Sequence, residues 1–157
     1  MQSIICGMIS ALLAGFDLYV KKFVEKEVAR GEEQEECGGR VVIRHVHNQG
    51  FALDMVDKYP KVVKWVSLGA LSSIAAYALL IWKQSASIVE KLAAALVVAG
   101  GISNTYERFK KGYVVDYIAF KTKWKKFNRV TFNSGDFYIF LGGFVWIIKT
   151  IIKESCR

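Results

Sequence analysis

Cysteine, histidine and proline are scarce in this chain of 157 residues, which contains three, two and one of them. Cys6, Cys37 and Cys156 are odd in number and far apart, so they indicate neither a disulfide framework nor a metal-binding spacing. His45 and His47 lie two apart and would face one side of a strand, but the sequence places no third ligand beside them. We therefore predict no metal site, and no Ser or Cys nucleophile with a partner histidine.

Long apolar runs dominate the composition instead, with 53% hydrophobic residues and a mean hydropathy of +0.25. Each of four runs is about as long as a helix needs to cross ~30 Å of hydrocarbon. Backbone groups in lipid must bond within their own segment, so these runs predict transmembrane helices. The first lacks a basic leader and a small-residue cleavage site, so we expect it to be retained. The predicted spans are 3–20, 62–82, 88–106 and 136–152.

The chain is thus expected to form a single polytopic membrane domain over residues 1–157, mainly α-helical. Four spans would leave both termini on one side of the membrane and two long loops, 21–61 and 107–135, on the other. Residues 41–47 and 113–120 are β-branched and indicate short strands, whereas the acidic, glycine-containing run GEEQEECGGR indicates a solvated loop. We expect the loops to form a small β-sheet and an interfacial flap.

The formal net charge is +8, from 22 basic and 14 acidic residues. In a membrane protein this charge favours anionic lipid headgroups as partners, and no nucleic-acid motif is present. The side of the membrane that holds these loops carries 17 of the 22 basic residues, nine of them over residues 21–64 and eight over 108–129. Taken alone, the positive-inside rule would place those loops in the cytoplasm.

Two aspartates, Asp116 in GYVVDYIAF and Asp136 in FNSGDFYIF, lie among apolar residues near the edges of predicted spans. Ionisable groups are costly there, so such residues indicate a functional site. Two adjacent carboxyl groups can share one proton, with the ionised one activating water and the neutral one donating a proton. The simpler alternatives are an exposed strand carboxylate for Asp116 and a helix cap for Asp136, with Asn133 at the N-cap.

Three further polar pairs flank the spans, and each has a structural alternative. Asp17 and Lys21 would otherwise be an ion pair one helical turn apart, and Asn48 with Gly50 would be a tight turn. Asn104 lies one turn before Arg108, which would otherwise reach the lipid headgroups.

The order of these clusters resembles that of bacterial lipoprotein signal peptidase, the signal peptidase II family. The matching segments are DLYVKK, NQGFAL, AGGISNTYER, GYVVDYIAF and FNSGD. Each is weak alone, but five in order across four spans are specific. The chain departs from the family pattern at Ser103, Glu107 and Gly135, where the family has Gly, Asp and Ala.

The resemblance implies that Asp116 and Asp136 are the catalytic pair of an aspartic endopeptidase without metal or organic cofactor. It implies further that a set of polar residues lines the site or positions the substrate. This set is Asn48, Gly50, Asn104, Arg108, Asn133, Asp17 and Lys21.

The expected activity is removal of the signal peptide from diacylglyceryl-modified prolipoproteins. The resemblance also implies a multi-pass protein of the bacterial inner membrane with its active site on the extracytoplasmic side, and we expect a monomer. A non-catalytic lipoprotein-binding paralogue and a small proton-coupled transporter are the alternatives, although the internal repeats common in transporters are not evident.

Overall fold

The computed structural model describes residues 2–50, 59–84, 86–124 and 127–155, which contain four long helices and four strands. The helices are α1 (Gln2–Glu27), α2 (Pro60–Lys83), α3 (Ile88–Lys110) and α4 (Ser134–Ser155). The strands are β1 (Glu33–Glu36), β2 (Val41–Asn48), β3 (Val114–Phe120) and β4 (Thr131–Phe132). The predicted architecture, mainly α-helical with a small sheet, is confirmed. The predicted flap falls partly on residues 51–58, which lie outside the described residues.

All four helices are long and apolar enough to cross a membrane. In α1 the two faces differ sharply, as expected for a helix with lipid on one side and protein on the other. The exposed face carries Ile4, Met8, Leu12, Phe16, Tyr19 and Phe23. The buried face carries Cys6, Ser10, Ala14, Asp17, Lys21 and Val24.

The α3 helix is the central element, because it packs against α1, α2 and α4 and is the most buried of the four. Small residues let its neighbours approach closely. A Cβ atom at Gly100 would overlap the backbone oxygen of Gly135, at the start of α4. About two turns further into the bundle, a Cβ at Gly142 would lie 2.5 Å from the backbone oxygen of Ala93. The first turn of α4 is therefore held directly against α3.

The four strands form one antiparallel sheet in the order β1-β2-β3-β4. Strand β3 lies inside the sheet and is buried over Val114–Tyr117. The prediction that residues 31–40 form only a loop was wrong, because β1 pairs with β2 in register from Glu33–Arg44 to Glu36–Val41. All four β1 residues are exposed, so backbone pairing with β2 outweighs their low strand propensity.

The helices extend beyond the predicted spans at the end that faces the sheet. α1 continues to Glu27 rather than ending at residue 20, and α4 begins at Ser134 rather than at residue 136. The predicted end of α1 was wrong because Lys21 suggested solvent, whereas its side chain is fully buried. Polar residues such as Asp17 and Lys21 thus lie within α1, where their side chains are buried.

Candidate active site

The two aspartates lie where the sheet meets the helices. Asp116 is in the buried strand β3 and is only 2% exposed, which rules out the exposed-strand alternative. Asp136 is in the first turn of α4.

Asn133 connects the two carboxylates. Its side-chain amide donates a hydrogen bond to Asp116 Oδ1 at 2.6 Å, and its backbone N–H donates one to Asp136 Oδ2 at 3.1 Å. The backbone N–H of Asp136 in turn donates to Asn133 Oδ1 at 3.0 Å, which completes a reciprocal cap on α4. The helix cap is therefore present, and the same cap brings together two acids that are twenty positions apart.

Two more side-chain amides bond the two carboxylate oxygens that Asn133 does not contact. Asn48 Nδ2, at the end of β2, donates to Asp116 Oδ2 at 2.8 Å. Asn104 Nδ2, on α3, donates to Asp136 Oδ1 at 2.9 Å. Each of the four carboxylate oxygens thus accepts one hydrogen bond, so both side chains are fixed in orientation.

Burial and charge set the ionisation of Asp116. Its burial, and then the negative charge of Asp136, raise the pKa of Asp116 to about 7, although the Asn48 and Asn133 amides oppose this change. A carboxyl group with this pKa holds a proton close to neutral pH. Because Asn133 bonds both carboxyl groups, they lie close enough for the charge of one to affect the protonation of the other.

A buried charge network lies behind the pair, centred on Lys21. Lys21 Nζ forms ion pairs with Asp17 at 2.8 Å and with Glu107 at 3.5 Å. It also donates to Asn104 Oδ1 at 2.6 Å and to Ser103 Oγ at 3.0 Å. Since Lys21 occupies the oxygen of the Asn104 amide, the nitrogen of that amide is directed towards Asp136.

An apolar cavity of about 450 Å³ opens beside Asp136, between α2, α3 and α4. Arg108 and Asn48 lie at its polar edge, and Arg108 donates to the backbone oxygen of Gly50 at 2.8 Å. The apolar lining comes from α2, α3, α4 and β4 and consists of Val66, Ala70, Leu71, Ile74, Val97, Phe132, Ile139 and Phe140. A peptide whose backbone lies beside Asp136 could therefore place apolar groups in this cavity.

The family model described as Signal peptidase (SPase) II matches residues 9–152 of this chain. The chain belongs to the signal peptidase II family. The lipoprotein signal peptidase of Enterococcus faecalis is 29% identical over 94% of this chain and 88% of its own length. That of Allorhizobium ampelinum is 32% identical over 71% of this chain and 67% of its own length. The predicted family and its enzyme class are confirmed.

Two solved structures described as bacterial membrane enzymes share the fold. One has a TM-score of 0.82 at 21% identity and covers 99% of this chain and 90% of its own. The other has a TM-score of 0.72 at 20% identity and covers 94% of this chain and 91% of its own. The fold of this signal peptidase II is thus that of known membrane enzymes.

All nine residues singled out from the sequence lie in or beside this one region of the signal peptidase II fold. The Asp17–Lys21 pair is the ion pair that its spacing indicated, but it is buried and bonded to Asn104 through Lys21. Asn48 forms the turn that its sequence indicated, since Gly50 N–H donates to Asn48 Oδ1 at 3.0 Å, and it also bonds Asp116. In both cases the ordinary structural role predicted from the sequence is present, and the same residues also contact the candidate site.

The departures from the family pattern fit the buried network. Ser103 Oγ donates to Asp17 Oδ2 at 2.5 Å, and a Cβ at Gly135 would lie 2.9 Å from that same oxygen. Ser103 thus bonds Asp17 from α3, while the absence of a side chain at Gly135 on α4 leaves room for the same carboxylate. Glu107 Oε2 accepts a hydrogen bond from the backbone N–H of Val115 at 2.9 Å, which anchors β3 one residue before Asp116.

Sequence reasoning missed one residue of this region, Tyr117. Its hydroxyl lies 2.5 Å from Ser134 Oγ and accepts from the Ser134 backbone N–H at 3.1 Å. It also donates to Asp17 Oδ1 at 3.4 Å. Tyr117 thus ties β3, α4 and α1 together beside the aspartates. Its position after Asp116 was the only available signal, and it does not distinguish a site residue from an ordinary strand aromatic.

The sequence placed no third candidate ligand beside His45 and His47, whereas the fold brings a carboxylate there. The extra length of α1 places Glu25 beside them, with one ligand atom of each residue within 4.8 Å of the others. Linear spacing could not indicate this, because Glu25 is twenty positions before His45 and lies beyond the predicted helix end.

Proposed function

We propose that this chain is an aspartic endopeptidase that removes the signal peptide from diacylglyceryl-modified prolipoproteins, with Asp116 and Asp136 as its catalytic residues. The main support is that one residue, Asn133, bonds both carboxylates and so places them at a common point. Membership of the signal peptidase II family and the names of the relatives support the substrate class. The same membership disfavours a transporter, and it gives no support to a paralogue that does not cleave.

In the proposed mechanism the pair holds one proton. The ionised carboxylate accepts a proton from water while the water oxygen attacks the scissile carbonyl carbon. The protonated carboxyl donates its proton to the carbonyl oxygen, which gives a neutral tetrahedral diol. When the C–N bond breaks, the ionised carboxylate takes the proton of one hydroxyl group, and the protonated carboxyl group gives its proton to the amine nitrogen. The pair then again holds one proton.

The remaining polar residues would position the pair and the substrate. Asn48, Asn104 and Asn133 hold the carboxylates in place through the amide contacts described above. Arg108 fixes the Gly50 carbonyl at the edge of the cavity. The cavity has a size and apolarity suited to the hydrophobic residues of a signal peptide or to the acyl chains of the modified cysteine. We expect the enzyme to act as a monomer in contact with membrane lipids.

The activity should depend on pH through the shared proton. Since the pKa of Asp116 is raised to about 7, the pair keeps its proton below that pH and loses it as the pH rises further. We expect kcat/KM for a diacylglyceryl prolipopeptide to fall about tenfold per pH unit above roughly pH 7. The measurement is a pH series with the purified enzyme in lipid, with thermal unfolding followed in parallel. A kcat/KM that stays constant to about pH 9 would contradict a shared proton.

The location proposed here is the bacterial inner membrane, with the sheet and the two aspartates on the extracytoplasmic side. Cys37 gives a direct test because it is exposed in the turn between β1 and β2. In a Cys156→Ser background, a membrane-impermeant maleimide added to intact spheroplasts should label Cys37, and the additional change Cys37→Ser should abolish labelling. Labelling only after the membrane is opened would place the sheet in the cytoplasm, as the positive-inside count alone suggests.

A further inference from the structure

A second cluster of polar side chains lies away from the aspartates, where the end of α1 meets β2. It comprises Glu25, His45 and His47, which include both histidines of the chain. The three residues line one open groove of about 600 Å³. His47 and Glu25 keep side-chain exposures of 17% and 22%, so the cluster is shielded but reachable.

The His45 ring is oriented by the backbone. Its Nδ1 lies 3.0 Å from the backbone oxygen of Val28, so Nδ1 carries the hydrogen and donates it. Its Nε2 is then an unprotonated lone pair, directed at His47 Nε2 at 3.0 Å. An imidazole held by a carbonyl in this way is the usual arrangement of a metal-bound histidine. Two nitrogens on one tetrahedral zinc ion are about 3.3 Å apart, which is close to this spacing.

His47 and Glu25 are also fixed by neighbours. The His47 ring stacks on Tyr113, with centroids 3.7 Å apart and planes 12° from parallel. Tyr113 Oη donates to Glu25 Oε1 at 3.1 Å, and Lys111 Nζ bonds the other oxygen, Oε2, at 2.5 Å. Glu25 Oε1 is 3.9 Å from His47 Nε2, and the three ligand atoms lie within 4.8 Å of one another, so side-chain shifts of about 1–2 Å would bring them to the ligand spacing of zinc.

Two cations oppose a metal ion at this position. The Arg30 guanidinium contacts His47 Nδ1, and Lys111 neutralises part of the Glu25 charge. Arg30 is exposed, so its side chain can move into solvent and let Nδ1 carry the ring hydrogen.

We propose that Glu25, His45 and His47 form a binding site for a divalent transition metal of the zinc class, with Glu25 Oε1 and the two Nε2 atoms as ligands. Two imidazoles and one carboxylate suit zinc, and they leave a fourth position facing the groove for water. The metal would join α1 to β2 immediately before Asn48. Its direct effect is therefore to stabilise this junction, outside the aspartyl pair.

The test uses the purified protein with an affinity tag that contains no histidine, stripped of metal by chelation. Titration with Co²⁺ as the probe should give the visible absorption of a tetrahedral complex at one ion per chain, and Zn²⁺ should displace it. In ¹⁵N spectra of the imidazoles, both Nε2 signals should shift on adding Zn²⁺. A hundredfold excess of Zn²⁺ over its Kd should raise Tm by roughly 5–10 °C.

The variants distinguish binding at the three proposed ligands from non-specific metal binding. His45→Gln with His47→Gln should abolish the Co²⁺ band, and Glu25→Gln should weaken binding at least tenfold. Arg30→Gln should instead tighten binding, because it removes the competing cation. Glu36→Gln, an exposed acid on β1, is the matched control and should change nothing.

Binding that is equally strong in the double histidine variant, or imidazole signals that do not move in the native protein, would overturn the proposal. The spectra need no mutation, so they decide the matter even if a variant fails to fold. Prolipopeptide cleavage, measured on the same samples, tests the aspartyl pair independently.

Discussion

Replacing either aspartate by asparagine is expected to abolish cleavage of a diacylglyceryl prolipoprotein. In Asp116→Asn and in Asp136→Asn the side chain keeps its shape but cannot exchange a proton, so the pair loses either its general base or its general acid. Removal of one member should lower kcat/KM by roughly 10³-fold or more. The double variant should be little worse than either single one, because the two carboxyl groups act as a unit.

The measurement is the conversion of a purified prolipoprotein by each variant, reconstituted in lipid and followed by the change in mass. Glu36→Gln is the control, since it removes an exposed carboxylate from β1 and should leave the rate unchanged. Thermal unfolding of each variant shows whether it is folded. If either aspartate variant is folded and cleaves at a rate within tenfold of the native enzyme, the assignment of the pair is wrong.

Lys21→Met is expected to have the largest effect on stability. Lys21 is fully buried, and its ammonium group is the cation between Asp17 and Glu107, which are 0% and 1% exposed. Without it, Asp17 remains buried without its cation, whereas Glu107 keeps an ion pair with Lys111 at 2.6 Å. Breaking a buried pair in this way costs about 3–5 kcal/mol. Loss of the bond to Asn104 Oδ1 also frees that amide to rotate away from Asp136, so activity should fall as well.

Lys22→Met is the matched control, because the neighbouring lysine is exposed on the same helix. We expect Lys21→Met to lower Tm by about 10 °C and Lys22→Met to leave it within about 2 °C. Adding Asp17→Asn to Lys21→Met should recover part of the lost stability, since the buried carboxylate that lost its cation is then neutral. Equal Tm values for the two lysine variants would mean that the buried network contributes little.

The parts of the fold that sequence predicted well are those governed by lipid. Apolar runs of span length allow only helices, so all four helices were predicted near their observed positions. Strands β2 and β3 followed from their β-branched residues. Strand β1 could not be predicted, because its sequence EQEE has no strand signal of its own. It is a strand because its backbone pairs with that of β2.

Several residues of the candidate site could be named from the sequence, but their arrangement could not. The asparagines and acids were found because their order matched a family, and each of them also had an ordinary structural explanation. That Asn133 bonds both carboxylates depends on the contact between α4 and α3, where Gly100 faces the backbone of Gly135. The role of Lys21 depends on its burial, which its position next to a second lysine did not indicate.

The structure of a complex tests the central claim most directly. A prolipopeptide whose scissile bond is replaced by a secondary alcohol mimics the tetrahedral diol of the proposed reaction. The account predicts that the hydroxyl oxygen lies within hydrogen-bonding distance of carboxylate oxygens of both Asp116 and Asp136, with the apolar part of the ligand in the adjacent cavity. A hydroxyl bound to one carboxylate alone, or seated elsewhere in the protein, would contradict it.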